Sequence, residues 1–102
     1  MATFVLLSKL TPGSARQVKA ILISDQDFRA QLERQCPGVK RLESYALLGA
    51  YDFLHIFEAA DAKEAAKVAL LANSVGAASA QTFTAMPFSQ FGQILQELQP
   101  SS

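Results

Sequence analysis

The chain has 102 residues, half of them hydrophobic and 18% charged, and its nine basic and nine acidic side chains cancel to a formal net charge of zero. That length sets one domain over residues 1–102, large enough to fold around its own core without a metal or a disulfide. With no basic stripe and no tryptophan, the composition excludes a phosphate-reading surface, a base-stacking platform and a patch drawn to anionic membranes.

Met1 to Lys9 has neither a basic leader nor a long apolar run, so the expected compartment is the cytoplasm and no membrane partner is expected. Residues 3–10 are rich in β-formers, Thr3-Phe4-Val5-Leu6-Leu7. They predict a first strand that ends at the turn signal Thr11-Pro12-Gly13-Ser14. Its near-continuous hydrophobicity fits a central strand covered on both faces.

Ala15, Val18, Ile21 and Leu22 then recur at helical spacing. Ser24-Asp25-Gln26-Asp27 interrupts them, and Phe28 and Leu32 resume the stripe. The pattern allows one kinked helix or two short ones, with Ser24 capping the second. Either form stops before Pro37-Gly38. Cys36 is the single cysteine. With no resolving thiol it reads as a small hydrophobe at the helix end.

Val39 to Leu48 alternates with a polar first half and an apolar second half, as an edge strand does when its far end enters the core. In that alternation Val39, Arg41, Glu43, Tyr45 and Leu47 share one side. Gly49-Ala50 turns the chain, and residues 52–58 form the third strand of a hairpin. Asp61-Ala62-Lys63-Glu64 is a capping box. Ala65, Val68, Ala69, Ala72 and Val75 follow on one helix face, and Gly76 ends it. Residues 79–86 give a fourth strand, stopped by Pro87. Phe91, Ile94, Leu95 and Leu98 mark a last short helix before a frayed tail over residues 99–102.

The order β-α-β-β-α-β, with an extra C-terminal helix, predicts an α+β, ferredoxin-like fold. Its four antiparallel strands run 4-1-3-2 across one sheet, with helices on one face. On the third strand Leu54 and Ile56 point one way and Phe53, His55 and Phe57 the other. Both sides are apolar, so the uncovered face needs a partner, and a second copy about a two-fold axis supplies one. Phe53, His55 and Phe57 are assigned to that interface, and a homodimer or higher oligomer is expected.

Three segments carry a family resemblance. Leu48-Gly49-Ala50-Tyr51-Asp52 followed by Ile56-Phe57-Glu58-Ala59, the strand exit Lys9-Leu10-Thr11, and Gly76 with Thr82-Phe83-Thr84-Ala85 together resemble the GYD domain family. Pro12-Gly13 and Ala60 depart from its usual Gln-Gly and Pro. The resemblance implies a ferredoxin-like fold of the dimeric α/β barrel type and supplies no mechanism.

In a 4-1-3-2 sheet the end of the first strand meets the start of the third. Lys9, Thr11, Tyr51 and Asp52 then share a corner suited to a small anionic or carbonyl ligand. The other reading of that corner is an exposed Lys9–Asp52 ion pair, worth about 0–1 kcal/mol. Asp52 and Glu58 cannot form a catalytic carboxylate pair, being six strand residues, or ~20 Å, apart. His55 is the lone histidine. It is either a packed, hydrogen-bonded group or, with Tyr51, the acid/base of a cofactor-independent oxygenase- or isomerase-like enzyme. One histidine and one distant cysteine make no metal site, and no nucleotide-binding motif calls for a cofactor. The expected function is therefore a homo-oligomeric module that binds a small molecule, with the small enzyme as the alternative.

Overall fold

The computed structural model describes residues 1–10, 18–75 and 77–98. Its elements are β1 (Ala2–Leu10), α1 (Val18–Gln35), β2 (Lys40–Ala46), β3 (Phe53–Ala59), α2 (Ala62–Ser74), β4 (Ala77–Ala85) and α3 (Phe88–Glu97). The strands form one antiparallel sheet in the order β2-β3-β1-β4. This is the expected 4-1-3-2 order read from the opposite edge, and the fold is α+β and ferredoxin-like. Among the described residues, no helix is long and apolar enough to cross a membrane.

Each helix follows from its sequence. α1 is continuous through Ser24–Asp27, so Ser24 does not start a second helix. Phe28, Leu32 and Cys36 are buried at four-residue intervals along one stripe. The turn signal Thr11-Pro12-Gly13-Ser14, Ala15 at the start of the helical spacing, and Gly76 as a stop signal lie outside the described residues. α2 begins as its capping box predicts, with Asp61 Oδ1 accepting from the Glu64 amide at 2.9 Å. Ala65, Val68 and Ala72 bury one face of α2, and their small size lets the helix lie close to the sheet.

The core forms between these helices and one sheet face. Phe4 and Leu6 of β1 and Phe57 and Ala59 of β3 are buried with Phe28, Leu32, Cys36 and Val68. Phe4 and Phe57 are register partners, and their rings stack with centroids 5.7 Å apart. His55 is 8% exposed, and its ring lies 5.4 Å from that of Phe28 on α1.

Phe53, His55 and Phe57 therefore face the chain's own helices. This corrects their assignment to an interface between copies. Strand alternation sends Leu54 and Ile56 to the other face instead. The pairings Val5↔Ile56, Leu7↔Leu54, Tyr45↔Leu54 and Val5↔Phe83 place Val5, Leu7, Tyr45 and Phe83 beside them. No helix among the described residues buries this open face: Tyr45 is 52% exposed and Phe83 48%.

α3 is the other unpartnered element. None of its residues is buried, and Phe88, Phe91, Ile94 and Leu95 are exposed. The Cα radius of gyration is 16.2 Å, above the ~13 Å expected for a compact chain of this length.

Candidate functional site

The pairing of β2 with β3 contains a bulge. Arg41 opposes Phe57, but Ser44 opposes His55, so Leu42 is an extra residue on β2. A bulge re-aims the side chains around it. Here it brings Arg41 and Ser44, three residues apart, onto the helix-covered face beside His55. It also moves Glu43 and Tyr45 to the opposite face, which corrects their expected grouping with Arg41.

A polar cluster results. Arg41 Nε donates to Ser44 Oγ at 2.7 Å, and Arg41 Nη2 donates to Asp25 Oδ1 of α1 at 3.2 Å. Ser44 Oγ and Arg41 Nη2 lie 2.7 and 3.3 Å from His55 Nδ1. A guanidinium only donates, and the Ser44 hydroxyl, already accepting from Nε, has its proton free to donate. His55 Nδ1 is thus an acceptor, and the ring proton sits on Nε2. Burial, then the Arg41 charge, push the His55 pKa down to about 4 against a partial opposing pull from Asp25. The ring is neutral at pH 7.

Two other features complete the cluster. Asp25 also pairs with Arg29 one helical turn away, at 3.6 Å. Arg41 Nη1 is buried with no hydrogen-bond partner among the described residues, while the guanidinium lies 5.8 Å from the centre of the Phe28 ring, close enough for a cation–π contribution.

Two hollows flank this cluster. A crevice of about 630 Å³ opens between the second half of α1 and β2, with Arg29, Glu33, Cys36, Arg41 and Ser44 among its lining residues. A smaller, partly open cavity of about 210 Å³ lies under the first half of α1, lined by Ser8, Phe53 and His55 of the sheet and by Ile21, Phe28, Ala72 and Val75. Burial raises the Cys36 thiol pKa, as does the nearby Glu64 charge, so Cys36 is a poor nucleophile.

The corner expected to hold a ligand is built differently. Asp52 Oδ2 accepts from the Leu10 amide at 2.8 Å, and the Asp52 amide donates to the Ser8 carbonyl at 2.9 Å. The Leu47 amide donates to the Asp52 carbonyl at 2.8 Å. Asp52 thus ties the β2–β3 turn to the exit of β1. Gly49 in that turn has φ +151°, a conformation essentially restricted to glycine. Lys9 is exposed, opposite Ser79 on β4, and forms no ion pair with Asp52 among the described residues. Tyr51 is half-buried, and Thr11 lies outside the described residues.

The structure thus brings Asp52 to the end of β1, where it holds backbone rather than pairing with Lys9 among the described residues. The Asp25–Arg41–Ser44 group around His55 was missed by reading the sequence. A serine three residues after an arginine carries no signal unless the bulge between them is known. Among the described residues, no group of three or more His, Cys, Asp or Glu side chains could hold a metal.

Comparison with known proteins places this geometry in a family. The GYD domain model matches residues 4–95, and the chain belongs to that family. It is 36% identical over 87 residues to the glutamine synthetase and cystathionine beta-lyase binding protein of Thermus thermophilus, covering 85% of this chain and 90% of that protein. Among solved structures it is similar to MtbAldR, with a TM-score of 0.62 and 15% identity over 84% of this chain. The chain spans about half that protein's length, 53%. It is also similar to a dimeric protein of ferredoxin-like fold from Bacteroides fragilis, with a TM-score of 0.54, 11% identity, and 84% and 95% of the two chains covered. At these identities the solved structures show the shared fold alone.

Proposed function

We propose that this member of the GYD domain family is a self-associating, protein-binding module, whose assembled form docks onto a metabolic enzyme. The observation that carries this reading is the open sheet face. Val5, Leu7, Leu54, Ile56 and Phe83 are contiguous there by register, and no helix among the described residues buries them. An apolar face of this kind on a small domain marks an association surface.

A second copy is the favoured cover. The open face carries Lys40 opposite Glu58 and so presents both charge signs, which a two-fold pairing can match against themselves. The sheets of two copies would then close into the dimeric α/β barrel. The exposed apolar side chains of α3, Phe88, Phe91, Ile94 and Leu95, remain for a further contact. The name of the Thermus relative supplies the class of partner: glutamine synthetase or cystathionine beta-lyase.

An acid/base enzyme working through His55 finds less support. Arg41 and Ser44 occupy Nδ1, and a pKa of about 4 leaves a weak base with no charged form at neutral pH. The ring is better suited to donate a hydrogen bond from Nε2.

The test has two arms. Light scattering across a hundredfold range of concentration is expected to show a dimer or higher oligomer; a monomer throughout would defeat the reading. Titration of the purified assembly into glutamine synthetase and into cystathionine beta-lyase is expected to give saturable binding to at least one. Binding to neither removes the enzyme partner and leaves self-association alone.

A further inference from the structure

We infer that the cavity beneath α1 is a binding site for a small, uncharged, largely apolar molecule bearing a carbonyl oxygen, which accepts a hydrogen bond from His55 Nε2. This goes beyond protein docking and concerns the opposite face of the sheet.

Size comes first. The cavity of about 210 Å³ exceeds the ~150 Å³ that admits a benzene ring. It suits one ring with a short substituent. Its walls include Ile21, Phe28, Phe53 and Val75, so most of the contact is apolar and a hydrocarbon body is favoured.

Polarity supplies the anchor. Ser8 and His55 both line the cavity and are 5% and 8% exposed. They are diagonal neighbours on paired strands, since Leu6 opposes His55 and Ser8 opposes Phe53. With Nδ1 held by β2, the proton of His55 is on Nε2, and no described residue accepts it. Nε2 is not one of the sealed, unpaired polar atoms of the described residues; on the wall of an open hollow a ligand or a water can accept its hydrogen bond. The Ser8 hydroxyl, likewise without a partner among the described side chains, can donate to the same oxygen or accept from a ligand hydroxyl.

Charge sets the class. The cavity is lined by Asp25, while Arg41 lies outside it. The guanidinium is engaged with Asp25, Ser44 and His55. Among the described lining residues a carboxylate ligand would meet a like charge and no cation, and burying it unpaired is unfavourable. A carbonyl meets a fixed N–H and keeps its body in apolar surroundings.

Three probes of similar shape test this: acetophenone, which has ring and carbonyl; ethylbenzene, which lacks the acceptor; and benzoate, which is charged. Titration calorimetry on the full chain, with the His55 ring nitrogens followed by ¹⁵N NMR, is expected to show saturable acetophenone binding and a shift at Nε2. Ethylbenzene is expected to bind about fivefold to tenfold more weakly, for one hydrogen bond lost, and benzoate more weakly still. The variant Val75→Phe fills the cavity and is expected to abolish acetophenone binding. Equal binding of ethylbenzene, tighter binding of benzoate, no saturable acetophenone binding at millimolar concentration, or retention of binding by a folded Val75→Phe would each overturn the proposal. If that variant does not fold, the three probes on the unmodified chain decide.

Discussion

The two faces of the sheet are made from the same strands by the same alternation, yet they differ in what they are finished with. On one, Phe4, Leu6 and Phe57 are closed over by Phe28, Leu32 and Val68 within the chain. On the other, Val5, Leu7, Leu54 and Ile56 meet no helix among the described residues, and Tyr45 and Phe83 stand about half exposed. The covered face also holds the buried polar groups, Ser8 and His55, each at the wall of a cavity. The open face has its charges at the rim, where Lys40 opposes Glu58. The contrast separates two roles: one face maintains the fold and borders a hollow, and the other is the face proposed above to meet a partner.

The sharpest break in that contrast comes from truncating the covered face. Phe57 is 2% exposed and stacked on Phe4, so Phe57→Ala is expected to cost about 3–5 kcal/mol through lost burial and a residual cavity. Native domains hold only about 5–15 kcal/mol in total. Urea unfolding would record the loss as a lower midpoint; a cost near that of a surface substitution would mean the core is elsewhere.

The covered face also predicts a dependence on pH. His55 titrates near 6.5 when unfolded and near 4 in the fold, so between those values the unfolded chain binds a proton that the native chain does not. Stability from this group is complete above about pH 6.5 and falls as pH drops toward 4. By linkage about 2 kcal/mol is lost by pH 5, before most carboxylates titrate. Unfolding midpoints at pH 7.5 and 5 should show this loss, and His55→Gln should remove most of it. An unchanged slope in that variant would place the effect on another group.

Much of the fold was legible because strand, turn and cap signals agreed locally. Asp61 with Glu64, the spacing of Ala65, Val68 and Ala72, and the Gly49 turn each carried their own physical cause. The choice of face was not legible. Period-two alternation says that Phe53, His55 and Phe57 go together, but Leu54 and Ile56 are equally apolar, so hydrophobicity could not say which set meets the helices. The bulge at Leu42 was invisible as well, since no Gly or Pro marks it in Lys40-Arg41-Leu42-Glu43. It is the bulge that assembles Arg41 and Ser44 around His55. The family could be recognised from sequence because its motif residues include backbone ties such as Asp52, whereas the cavity depends on long-range packing between α1, α2 and the sheet.

The smallest effect on the chain itself, and the most informative about the open face, is expected from Ile56→Asp. Ile56 is the immediate neighbour of Phe57 on β3 but points away from the core. Replacing it exchanges a good strand former for a poor one, at a cost of about 1 kcal/mol to the isolated domain. In a face-to-face assembly the same carboxylate would be driven into an apolar interface with no partner, and a charge there is far more costly than on a surface. Light scattering should therefore find a folded monomer at concentrations where the unmodified chain associates, with its circular dichroism unchanged. If Ile56→Asp associates as before, the open face is not the seam between copies. The apolar stripe of α3, from Phe88 through Leu95, would then be the surface to alter next. If Ile56→Asp unfolds the chain as severely as Phe57→Ala, the two faces contribute alike, and the second layer needed to bury the open one belongs to folding itself.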